Sequence, residues 1–305
     1  RGDLAISTMG RGFFVLDNIA TLREATPADL GAAPVLFTPA ETIRYRQIHR
    51  GGLDAAGVPD YPAPAVEIDY WLPDDAGEVR MEILAADGSV VNAWRSSDAA
   101  EDDDVQPEVD MATGAVTFLP DAALSAEAGI QRFRWDMRHR GPWHADEDRR
   151  FEGGPYVLPG RYEVRLTVGE QTLTRPLDLV VDPRVPAGGV TLEDMRAQEA
   201  LSLQLVELLG EARRLVQRLE TERDALEEDE GGAADGRRAE LDALLAELVA
   251  ADLIYPQPML TEQISYLYNM LGTADQAPGG EALARFEELA GAFEALRARS
   301  AAGGP

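Results

Sequence analysis

Chemistry in this chain would have to come from few side chains. It contains three histidines, His49, His139 and His144, and no cysteine. Asp136, His139, His144, Asp146 and Asp148 fall within thirteen positions, and carboxylate with imidazole suits several divalent ions. The spacing matches none of the recurring zinc patterns and reads as a solvated loop behind a strand; Asp136, His139 and His144 are the ligands such a loop would offer. The run Asp98, Glu101, Asp102, Asp103 and Asp104 lacks the alternating ligands, central glycine and terminal bidentate glutamate of a calcium loop. It reads as an exposed hairpin tip. The absence of cysteine excludes thiol catalysis, disulfides and cysteine-held zinc or iron–sulfur centres. No serine occupies a Gly-x-Ser-x-Gly elbow, and there is no phosphate-binding glycine loop. Glycoside hydrolysis needs two carboxyls about 5 to 10 Å apart, but with 55 Asp and Glu residues their mere presence selects nothing. The sequence therefore assigns no catalytic residue and no cofactor.

The planar groups are Trp71, Trp94, Trp135 and Trp143. An exposed ring can stack on a sugar or a partner. Trp71 falls on the strand face opposite Val66, Ile68 and Tyr70, so Trp71 and Trp143 stand as ligand-platform candidates, with plain packing as the competing reading. Trp135 shares a face with Phe133 and Met137 and reads as core. Tyr255, Tyr266 and Tyr268 read as helix packing.

Positioning these groups falls to four stretches. Residues 1–25 open with Leu4 to Thr8, a Met9-Gly10-Arg11-Gly12 turn and Phe13 to Leu16, a hairpin pattern. A hairpin of this size is only marginally stable alone, so the reading is that its neighbouring strands lie upstream and the chain is the C-terminal part of a larger protein. Residues 26–64 are rich in Pro, Gly and Ala, with little periodicity, and read as a linker anchored by Tyr45, His49 and Tyr61. Over 65–186 the pattern alternates. Val66, Ile68, Tyr70 and Leu72 oppose Glu67, Asp69 and Trp71; Val79, Met81 and Ile83 follow; Asp87-Gly88 signals a hairpin before Val90 and Val91. Strands are expected at Ala115 to Leu119, Gln131 to Met137, Arg161 to Val168 and Thr172 to Val181. Short strands broken by turn residues predict an antiparallel sandwich of the immunoglobulin or fibronectin-III kind.

Over 190–300 the period changes. Thr191 with Asp194 resembles a capping box and opens a long helix through Leu201, Leu205, Leu208, Ala212, Leu215 and Leu219, ended by an acidic turn over Glu227 to Gly236. A second helix carries Leu241, Leu244, Leu245, Leu248 and Val249 up to Pro256 and Pro258. A third spans Leu260 to Leu271 and stops at Gly272. The fourth has Leu283, Phe286, Leu289, Phe293 and Leu296 on one stripe. Four amphipathic helices with short connections predict an antiparallel helical bundle. The expected fold is multidomain β plus α.

A formal charge of -27 repels phosphate backbones, and no basic stripe interleaves with aromatics, so nucleic acid is not an expected partner. All 28 basic residues are arginine, which reads as coding bias. No apolar run approaches the ~20 residues that cross a bilayer, and there is no signal-peptide pattern within the segment.

The opening Thr8-Met9-Gly10-Arg11-Gly12-Phe13-Phe14-Val15-Leu16-Asp17 resembles the last strands of the bacterial BNR-repeat β-propellers. These are related to the sortilin-like, VPS10-type propellers and often labelled glycosyl hydrolases. Members show Thr-His-Gly-Arg-Gly-Phe-Trp here; Met9 and Phe14 depart from that pattern. The resemblance continues through Phe133-Arg134-Trp135-Asp136-Met137-Arg138, Leu158-Pro159-Gly160-Arg161-Tyr162, Asp182-Pro183-Arg184 and Gln263-Ile264-Ser265-Tyr266-Leu267-Tyr268. It implies an extracellular or periplasmic protein with an N-terminal propeller, an immunoglobulin-like or fibronectin-type module and a helical tail, and it implies no well-established reaction. The leading expectation is a non-catalytic accessory region for docking, assembly or ligand binding, with the upstream propeller as partner. One alternative is part of a glycoside hydrolase whose catalytic residues lie mainly in the propeller, with Arg11 near the substrate. The other is a carbohydrate-binding module acting through an exposed tryptophan such as Trp71.

Overall fold

The computed structural model describes residues 2–10, 12–16, 18–26, 30–46, 64–98, 123–146, 153–226, 232–251 and 256–302, with the backbone alone of 109–110, 115–116 and 232–233. The protein is mixed β and α, with sheets that are antiparallel except for one strand pair and with six helices among the described residues. It divides into two compact units, Arg1–His139 with Pro159–Pro183, and Arg140–Leu158 with Arg184–Pro305. No helix among the described residues is long and apolar enough to cross a membrane.

The first unit begins with a two-stranded sheet, β1 (Leu4–Thr8) and β2 (Gly12–Leu16), followed by a short helix α1 (Ala20–Glu24). Next come β3 (Val35–Leu36), β4 (Thr42–Arg44), β5 (Val66–Leu72), β6 (Val79–Leu84), β7 (Val90–Arg95), the small pair β8 (Val109–Asp110) and β9 (Ala115–Val116), β10 (Gly129–Trp135), β11 (Gly160–Val168) and β12 (Gln171–Val181). One sheet has the order β10-β5-β3 and another β4-β12-β11-β6-β7. The alternation in the sequence governs which side chains face inward. Val66, Ile68, Tyr70 and Leu72 of β5, Val79, Met81 and Ile83 of β6, and Phe133 and Trp135 of β10 are all buried, as period-2 patterning requires. The rings of Trp94 on β7 and Phe133 on β10 lie 4.9 Å apart, and Trp135 meets Tyr162 of β11 edge-on at 6.2 Å, so the inward faces of the two sheets meet through aromatic pairs.

Strands β3 and β4 fall inside the stretch that reads as a linker. Two or three residues are too short to carry a period, and these strands exist only through their partners. Val35 and Leu36 pair with Trp71 and Tyr70 of β5, and Thr42 to Arg44 pair in parallel with Leu179 to Val181 of β12.

In the second unit a short helical turn, α2 (Arg184–Ala187), precedes α3 (Leu192–Ala225), α4 (Gly232–Leu248), α5 (Leu260–Leu271) and α6 (Gly280–Ala302). The capping box is present. The Thr191 hydroxyl accepts from the Asp194 N–H at 3.1 Å, and the Asp194 carboxylate accepts from the Thr191 N–H at 2.8 Å. Hydrogen bonds from the Thr191 hydroxyl, at 2.7 Å, and from the Thr191 N–H hold the Asp194 carboxyl below its usual range. Leu201, Leu205, Leu215 and Leu219 of α3, Leu241 and Leu248 of α4, Ile264 and Leu267 of α5, and Leu289, Phe293 and Leu296 of α6 join one apolar cluster, which is where the 3.6-residue period of these segments goes. Three sequence expectations differ. Helix α4 starts at Gly232, so the acidic turn is shorter than the composition implies. Leu283 is exposed and lies off the buried stripe of α6, and Tyr266 stands exposed on α5.

Candidate functional site

The β1–β2 hairpin gathers seven of the fifteen exposed large apolar side chains among the described residues. Its register pairs Leu4 with Leu16 and Ile6 with Phe14 on one face, and Ala5 with Val15 and Ser7 with Phe13 on the other. All ten strand residues are exposed, with Phe13 at 82% and Phe14 at 60%. Gly10 closes the turn at φ +85°, a left-handed value that glycine adopts without penalty. Arg11, the sequence candidate in that turn, lies outside the described residues.

Behind the hairpin the chain is fastened to the outer face of the three-stranded sheet. Asp69 points away from the core on β5 and is nonetheless only 4% exposed. Arg132, directly opposite on β10, donates to both of its carboxylate oxygens, Nε at 2.8 Å and Nη2 at 2.9 Å. The Thr21 hydroxyl on α1 donates to the same carboxylate at 2.5 Å. Arg132 also lies 3.2 Å from Glu67, and Asn18 donates its side-chain N–H to Glu67 at 2.9 Å. The hydrogen bonds to Asp69 raise the Arg132 guanidinium above its ordinary pKa. A bidentate pair of this kind is among the stronger charge-assisted arrangements, and here it compensates a carboxylate taken out of water.

The remaining candidates have more local surroundings. Trp71 is half-buried on β5, pairs across to Val35 of β3 and donates its indole N–H to the Gly31 carbonyl at 3.3 Å. Trp143 belongs to the second unit and packs on α3. A Cβ at Gly210 would meet its backbone nitrogen at 3.2 Å, and the Arg214 guanidinium sits 5.3 Å from its ring centre. One face of that ring is thus covered by a cation. Asp136 and His139 lie in the first unit and His144 in the second. Asp136 is not solvated as the sequence suggests. Its side chain is 19% exposed and 3.5 Å from Arg138, and burial pushes its carboxyl above the ordinary range against the pull of that arginine. His144 accepts from the Asp146 N–H at 3.1 Å. Among the described residues no group of three or more His, Asp or Glu side chains converges to hold a metal. His49, Tyr61, Glu101 to Asp104, Asp148 and Tyr255 lie outside the described residues.

Sequence reasoning missed a cleft of about 510 Å³ in the second unit, floored by Leu209, Val216 and Val249 and rimmed by His144, Arg213 and Tyr266. Tyr266, read as packing, is 69% exposed at this rim. Helical spacing alone could not reveal this, since Tyr266 sits one step off the Ile264–Leu267 stripe. Tyr268 does pack against the apolar cluster, and its hydroxyl donates to the Gly153 carbonyl. Compared with known proteins, the chain matches no family model and no curated sequence.

Proposed function

We propose that the chain is a non-catalytic accessory region of an exported BNR-type β-propeller protein, which docks through β1–β2 onto the propeller. One observation carries the reading: the hairpin is apolar and exposed on both faces. An antiparallel sheet that covers a single core leaves its other face polar. A hairpin with Leu4, Ile6, Phe14 and Leu16 on one face and Phe13 and Val15 on the other calls for cover on both sides. A propeller blade, wedged between its neighbours, receives that cover. The resemblance of Thr8 to Asp17 to terminal propeller strands supports the same partner, and with it an extracellular or periplasmic site.

The strand orders support an immunoglobulin or fibronectin-III assignment for the first unit. With β3 and β4 as the two halves of strand A, β10-β5-β3 reads as E-B-A and β4-β12-β11-β6-β7 as A-G-F-C-C′, the division that sandwiches of this class use. Tyr162 then stands near the start of strand F, where such folds keep a tyrosine at a corner. The shared apolar cluster of α3 to α6 supports a helical bundle in the second unit. In this reading the first unit carries the hairpin, and the chemistry of the parent protein resides in the propeller. Incubated with aryl glycosides or peptides, the chain alone is expected to give no turnover above buffer. Turnover abolished by substituting a single carboxylate of this chain would overturn the proposal.

A further inference from the structure

We infer that the hairpin is aimed as well as exposed: Asn18 is an elbow and Asp69 with Arg132 a clasp, and together they hold β1–β2 at one fixed angle to the sheet that carries them. The inference rests on the docking reading for its purpose, though not for its physics. At the elbow Asn18 takes φ +50°, a left-handed conformation that asparagine tolerates better than other side chains. There the chain turns from β2 into α1. Both sides of the turn are tied. Toward the hairpin, the Asn18 N–H donates to Asp3 at 3.1 Å and the Ile19 N–H to the Gly2 carbonyl at 2.6 Å, which closes the base of β1. Toward the sheet, the Asn18 side chain donates to Glu67, and its carbonyl accepts from Arg132 at 3.5 Å. One turn later Thr21 reaches Asp69. At the end of α1, Glu24 accepts from the Thr38 N–H at 3.1 Å.

An unbroken path of hydrogen bonds therefore runs from the hairpin base to two neighbouring strands. Its central carboxylate is buried with Thr21 of α1 among its partners, so releasing α1 would break a charge-assisted hydrogen bond that water would then have to replace. A hydrophobic arm that is already ordered loses less conformational freedom on docking than one that must first be immobilised. Asp69, Arg132 and Asn18 are thus positioning residues for the docking surface, although none of them lies on it.

The chain has no cysteine, which permits clean labelling. Nitroxides at Ser7→Cys on β1 and Thr172→Cys on β12 report the hairpin angle by electron–electron dipolar spectroscopy, and a Val90→Cys/Thr172→Cys pair reports the integrity of the five-stranded sheet. The expected result is a narrow distance distribution for the hairpin pair, comparable with the sheet pair. In Asp69→Ala the hairpin distribution should at least double in width while the sheet pair stays unchanged. A hairpin distribution that is broad in the parent chain, or unmoved by Asp69→Ala, overturns the inference. If Asp69→Ala also broadens the sheet pair, Asn18→Gly decides: it removes the side-chain bonds that Asn18 donates to Glu67 and accepts from the Ala20 N–H, and leaves Asp69 and Arg132 in place. Broadening of the hairpin pair alone upholds the elbow, and no change refutes it. No propeller is present in these measurements, so failure of the docking reading would leave their outcome intact.

Discussion

Single residues set the local energetics, and two of the ionisable ones pull in opposite directions with pH. Burial raises the Asp136 carboxyl. The folded first unit therefore favours its protonated form, and the penalty develops as pH rises above the ordinary aspartate value of about 3.9. Asp136→Asn should be more stable than the parent at pH 7, with the gap closing on acidification; denaturant titrations at pH 7 and pH 4 measure it, and an equal gap at both contradicts the assignment. In the second unit the Arg299 hydrogen bonds lower the Glu247 carboxyl. That contribution is complete above the unfolded glutamate value and fades as pH falls through the lowered folded one. Both partners are about half exposed, so solvent screening keeps it small. Arg132 matters more. Arg132→Ala leaves Asp69 buried without its main partner, and should cost the first unit about 2 to 3 kcal/mol in chemical denaturation, somewhat below the range for fully buried pairs. A cost under about 0.5 kcal/mol would mean that Asp69 is well solvated.

Elements show how far periodicity reaches. Strands β5, β6, β10, β11 and β12, and helices α3 and α5, were legible because each is long enough to repeat its apolar spacing. The Thr191–Asp194 cap was legible for a different reason: its signal is local. Thr191→Ala is expected to destabilise the helical unit by about 1 kcal/mol, read from its thermal or urea transition. Strands β3 and β4 escaped because their cause lies in β5 and β12, not in themselves, and a parallel pairing leaves no mark in the sequence. The Arg132–Asp69 clasp escaped too, since alternation assigns Asp69 to the outer face and cannot foresee that α1 lies across it. Gly210 is the clearest long-range case. Mid-helix glycine costs about 1 kcal/mol relative to alanine, yet a Cβ there would press on the Trp143 backbone at 3.2 Å. Gly210→Ala should leave the helical circular dichroism intact while shifting the Trp143 contribution to the near-ultraviolet spectrum, isolated by subtracting Trp143→Phe. An unshifted signal would mean that the segment gives way without strain.

At the scale of the whole molecule, the chain joins a strand-rich unit with a meeting of aromatic faces, a helical unit with its own apolar cluster, and one hairpin that belongs to neither core. Among the described residues the hairpin is the conspicuous exception, with all ten of its strand residues exposed. That exception is the ground for reading the protein as an accessory region docked to a propeller, and it is open to direct measurement. Amide hydrogen exchange of residues 3–16 can be compared between this chain alone and the polypeptide that includes the propeller. Rapid exchange is expected along the outer edges of β1 and β2 in the isolated chain, with at least about a hundredfold slowing in the joined protein, the protection that edge strands gain on entering a sheet. Equal exchange in both would contradict docking to the propeller.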